Sequence, residues 1–159
     1  MPKNFRLASR LAGRQRGEKV KAELFHVSHP LSLIKNLTKK RALAVPFLKL
    51  AGFVLGKKYE LSLVLTGDAL IKKLNNTYRR KNQPTNILSF PYSETEGEIF
   101  INLKRAELES KRFERNFNHH LAYLFIHGLL HLKGFAHGSK MESEECKILK
   151  HFKKSLRTF

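Results

Sequence analysis

The sequence predicts an α+β fold, with a mixed sheet of about four strands packed with about five helices. Three observations lead there. Short apolar segments bounded by turn signals occur between residues 22 and 103 without strictly alternating with helices. From residue 104 onward the pattern is helical, and residues 117–133 are apolar over most of the helix circumference. Apolar residues make up 42% of the 159, with 12 Phe, enough to build one core.

The elements follow in order. Residues 1–20 form a basic extension expected to be flexible, with Lys3, Arg6, Arg10, Arg14 and Arg16 preceding the first acid, Glu18. Residues 21–159 form the single expected domain. Residues 22–27 (AELFHV) read as a short strand, and Pro30 as the opening of a helix over 31–53 with a break near Pro46. Residues 59–65 (YELSLVL) alternate as a strand does. Gly67-Asp68 then leads into a helix whose inner side carries Leu70, Ile71, Leu74 and Tyr78. Residues 86–92 and 98–103 read as strands, the latter after a turn at Gly97. Helices are expected over 104–114 and 117–133, and a last one from a capping box at Ser139 and Glu142 to about 156.

Charge narrows the partners. The chain carries 31 Lys+Arg against 13 Asp+Glu, a net +18, which favours a polyanionic surface. Cys146 is the only cysteine, so neither an internal disulfide nor a Cys/His zinc finger can form, as suits a reducing compartment. The apolar run from Ala42 to Leu55 contains Pro46 and Lys49 and is too short to cross a bilayer. With no hydrophobic signal core at the N-terminus, a cytoplasmic location is expected, with no membrane partner.

The most informative segment is HGLLHLKGFAH, in which His127, His131 and His137 are spaced H-x3-H-x5-H. Four residues of spacing put His127 and His131 on one helix face. Gly134 can end the helix and let the chain return with His137. Three imidazoles so arranged can hold a divalent metal, most naturally zinc, with one position open for hydrolytic chemistry. The fold expected is therefore metallohydrolase-like. The same residues can also be three histidines satisfied by backbone carbonyls. His119 and His120 lie earlier on the helix and are expected to face solvent or RNA.

A zinc peptidase of the H-E-x-x-H type carries a glutamate directly after its first histidine; here that residue is Gly128. Glu142, Glu144 or Glu145 would have to supply the base instead. Gly128 suggests close packing of the ligand helix against another backbone. The other cluster is residues 77–91, TYRRKNQPTNILSFP. There Arg79, Arg80 and Lys81 leave a helix toward solvent and offer donors to phosphate, or simply stabilise a helix C-terminus.

Together these blocks resemble the YbeY family of single-strand-specific endoribonucleases, the rRNA maturation factors. The resemblance rests on Leu74-Asn75, Tyr78-Arg79, Lys81-Asn82, Pro84 through Pro91, Gly97-Glu98-Ile99, and His127-Gly128 through His137. It implies Zn2+ bound by His127, His131 and His137, with Arg79 in the same cleft and all four in the catalytic centre. Arg79, Arg80 and Lys81 are the expected substrate contacts. RNA, in single-stranded regions of rRNA, is the implied partner, together with a ribosomal subunit or ribosomal proteins. The chain departs from the family pattern at Ala136, where an acid often precedes the third histidine, and at Asn82 and Asn86, where Asp is common. Two other functions compete: a ribosome assembly factor with a structural zinc, and a zinc peptidase.

Overall fold

A computed structural model describes residues 23–26, 32–40 and 44–156. The expected basic extension over 1–20 lies outside the described residues. In chain order the elements are β1 (Glu23–His26), β2 (Ser32–Asn36), α1 (Phe47–Leu55), β3 (Glu60–Thr66), α2 (Asp68–Arg79) and β4 (Ile87–Pro91). They continue with β5 (Glu96–Asn102), α3 (Leu103–Arg112), α4 (Phe117–Leu132), α5 (Ser139–His151) and α6 (Lys153–Leu156).

The strands form one mixed sheet in the order β1-β2-β3-β5-β4. β2, β3 and β5 run parallel through its middle, while β1 and β4 pair antiparallel at the two edges. The α+β class is as expected, and β2 is the correction. No helix spans 31–53: Ser32–Asn36 is a strand, and the helix begins only at Phe47, after Pro46. Proline is well tolerated just before a helix, where no intrahelical N–H is needed.

Alternation along the strands divides the core in two. Leu61, Leu63 and Leu65 of β3 join Ile99 and Ile101 of β5 beneath α1 and α4. Val64, Leu88 and Phe100 point to the other face and meet Leu70, Ile71 and Leu74 of α2. Covering on both faces explains why β5 is buried from Gly97 to Asn102. Tyr78 does not join that inner side. It is exposed, and packs instead against Phe90 of edge strand β4, ring centroids 5.0 Å apart, while Asn75 takes the buried place.

The last helical stretch is divided. α5 ends at His151 and α6 follows as a single turn. The capping box is not formed, because Gly138 holds the N-cap position and no side chain caps the helix. Among the described residues, no helix is long and apolar enough to cross a membrane.

Candidate metal centre

α4 presents His127 and His131 from its last turn and a half. Its N-terminus is capped by Asn116, whose side chain accepts from the N–H groups of Asn118 and His119. The helix lies over β4 and β5, and Gly128 is what allows the approach. A Cβ there would stand 2.8 Å from Ile87 Cδ1, 2.9 Å from Ser89 Oγ and 3.1 Å from Ile99 Cδ1. The close packing expected of Gly128 is thus against side chains of the sheet, not another backbone. At its other end the helix stops as expected. Gly134 takes φ +91, a conformation that L side chains rarely adopt, and the Phe135 N–H returns to Leu130 O. That reversal carries His137 back over the helix end.

The three histidines do meet. One ligand nitrogen from each lies within 4.8 Å of the other two. Ring centroids are 4.6 Å apart for His127 and His131, 5.1 Å for His127 and His137, and 4.5 Å for His131 and His137. His127 and His131 are partly buried, and His137 is exposed.

Their hydrogen bonds fix which nitrogens point inward. His127 Nδ1 lies 2.7 Å from Glu145 Oε1 of α5, and His131 Nδ1 lies 3.0 Å from the carbonyl oxygen of Phe135. Both partners are acceptors, so each Nδ1 carries a proton and each ring directs its Nε2 toward the centre. Those two Nε2 atoms stand 3.1 Å apart. At that distance the two nitrogens can share a proton or a metal ion. Two nitrogens on one tetrahedral zinc, each at ~2.0–2.1 Å, would be ~3.3 Å apart. The residues therefore fit a metal ion.

Charge state agrees with the donor geometry. Burial lowers the His131 pKa, and the neighbouring His127, His137 and Arg79 charges lower it further against the opposing hydrogen bond to Phe135. A depressed imidazole pKa keeps His131 in the neutral form that a metal requires.

Arg79, the last residue of α2, is exposed, and its positive charge is the smallest of the influences that lower the His131 pKa. Arg80 follows in the left-handed region at φ 55, its N–H bonded to Asn75 O and Asn76 O. Asn75 Nδ2 then donates to Gln83 O at 2.8 Å and latches the turn. Arg80 and Lys81 are exposed on that turn, outside the imidazole cluster.

Of the two histidines earlier on the helix, one departs from expectation. His119 is exposed, but His120 is buried and its Nε2 lies 3.0 Å from Glu109 Oε2. Glu109 in turn accepts from Asn86 Nδ2 at 3.1 Å through both carboxylate oxygens. Asn86, just before β4, is therefore tied to α3 and, through Glu109, to α4. Among the three glutamates considered as bases, Glu145 is the one that contacts an imidazole. Glu144 pairs with Lys147. The orienting role of Glu145 was not visible in the sequence, since 18 residues and a helix reversal separate it from His127.

Comparison with known proteins agrees with this picture. Residues 33–158 match the family model described as endoribonuclease YbeY. A relative of that name from Neorickettsia sennetsu is 42% identical over 106 residues, covering 60% of this chain and 74% of its own. Another, from Thermodesulfovibrio yellowstonii, is 37% identical over 129 residues, covering 73% and 78%. A solution structure from Thermotoga maritima superposes with a TM-score of 0.58 over 78% of this chain and 91% of its own, at 22% identity, which speaks to the fold alone. With the matched region spanning from β2 through α6, the chain belongs to the endoribonuclease YbeY family.

Proposed function

We propose that this protein is a zinc-dependent endoribonuclease that cuts single-stranded regions of RNA. Its substrate on this reading is rRNA, during ribosome maturation or quality control in the cytoplasm, in contact with a ribosomal subunit or its proteins. The observation that carries the proposal is the pair of Nε2 atoms 3.1 Å apart, with His137 completing the group. Family membership and the net charge of +18 direct that centre toward RNA.

His127, His131 and His137 would hold the metal. Bound there, zinc supplies a Lewis acid at the phosphodiester. Glu145 and the Phe135 carbonyl keep two of the imidazoles in the ligating tautomer and orientation. Arg79 donates its guanidinium N–H groups to the phosphoryl oxygens as negative charge builds on them. Arg80 and Lys81 contact flanking phosphates without reading sequence.

Structural zinc sites are usually closed by four protein ligands. Here three imidazoles converge and the third is exposed, which favours catalysis over an assembly factor with structural zinc. Gly128 in place of a glutamate disfavours a peptidase. The test is Arg79→Ala. Its kcat on single-stranded RNA is expected to fall by about 10²-fold, as for loss of one charge-stabilising donor, with zinc content unchanged. An unchanged kcat would remove Arg79 from the catalytic centre.

A further inference from the structure

Beside the imidazoles, a cleft of about 500 Å³ lies between α5–α6 and the start of α4. That size suits one small ligand or one unit of a polymer. Its lining includes Arg115, Tyr123, Glu145, Cys146, Lys150 and Lys153, with Leu149 and Leu156 adding apolar surface. Arg115 is pre-positioned: its guanidinium carbon lies 5.5 Å from the Phe113 ring centroid and 5.6 Å from that of Tyr123.

Three features of the cleft point the same way. Among the described residues, Arg115, Lys150 and Lys153 have no ion-pair partner. Of the acids on the lining, Glu145 is already engaged with His127, which leaves Glu142 against three cations. The cleft also abuts the metal centre. Glu145 belongs to both, and the Tyr123 ring centroid is 6.2 Å from that of His127. Cationic side chains therefore flank the imidazole group on its His127 side.

We propose that this cleft is a second RNA subsite, holding a nucleotide that flanks the cut. A backbone phosphate sits on Arg115, Lys150 and Lys153, and its base lies against the apolar wall. The subsite rests on the endoribonuclease reading. It assigns substrate contacts beyond the turn after α2, to three residues not previously given a role.

Cys146 allows a test, because it is exposed, lines the cleft and is the only cysteine in the chain. The probe is a single-stranded RNA decamer with its 2′-OH groups blocked by methylation, bound to the zinc-loaded full chain. Binding is measured by fluorescence anisotropy, and Cys146 reactivity by its rate of alkylation with iodoacetamide. At saturating RNA, alkylation is expected to slow several-fold. The double variant Lys150→Ala, Lys153→Ala, both exposed, is expected to bind more weakly, its log–log salt dependence flattened by about 0.7 for each lost phosphate contact. Alkylation at the free rate in the complex, or unchanged affinity and salt slope in the variant, overturns the subsite and leaves the endoribonuclease reading standing. Failure of the wild type to bind the decamer overturns both.

Discussion

Glu145 of α5 holds His127 of α4 through a carboxylate–imidazole contact of 2.7 Å, with the carboxylate almost wholly buried. Partners of this kind fix the tautomer of a ligating histidine, and their loss costs roughly 10–100-fold in metal affinity. Glu145→Ala is expected to weaken zinc binding by about that factor in competition with a chromogenic chelator. Glu145→Gln retains an acceptor oxygen, so its affinity should lie between alanine and wild type. Equal affinity in all three proteins would show that the contact does not orient the ligand.

Asn86 and Glu109 form a second linked pair. The Asn86 amide donates to both oxygens of Glu109, and Glu109 also holds the buried His120. An aspartate at position 86 would face another carboxylate. Asn86→Asp is expected to destabilise the fold by about 1–3 kcal/mol in urea unfolding. Glu109→Gln in the same chain should restore much of that loss. A neutral Asn86→Asp would contradict the assignment.

Asp68 supplies a pH dependence. Its pKa is held down at about 2 by the hydrogen bond from Lys104 first, then by those from Asn102 and Arg105, against the opposing effect of burial. A carboxylate whose folded pKa lies below its unfolded value adds stability at neutral pH. That contribution fades as pH falls from about 4 toward 2. Because Asp68 is 27% exposed, the contribution is discounted to about 1–2 kcal/mol. Stability curves of wild type and Asp68→Asn should therefore converge as pH drops through that window, and parallel curves would contradict the assignment.

Much of this structure was legible because it is local. The 3.6-residue period of α4, the stop at Gly134 and the four-residue spacing of His127 and His131 are set by neighbouring residues. What was missed depends on distant partners. β2 is a strand because it pairs in parallel with β3 and antiparallel with β1, pairings that its five residues do not announce. Helical spacing put Tyr78 on the inner side, but it packs against the edge strand at Phe90. His120 was expected to face outward, and its burial beside Glu109 follows from how α3 meets α4. Glu145 could be placed on the metal centre only once α5 was seen to fold back along α4.

The central claim is that the three imidazoles form a zinc centre on which RNA cleavage depends. The most direct measurement compares wild type with His131→Ala for bound zinc and for cleavage of single-stranded RNA, in metal-stripped and zinc-loaded samples. Wild type is expected to bind one zinc per chain and to cleave only when loaded, while His131→Ala loses both. Undiminished cleavage by stripped wild type, or by His131→Ala, would contradict the account.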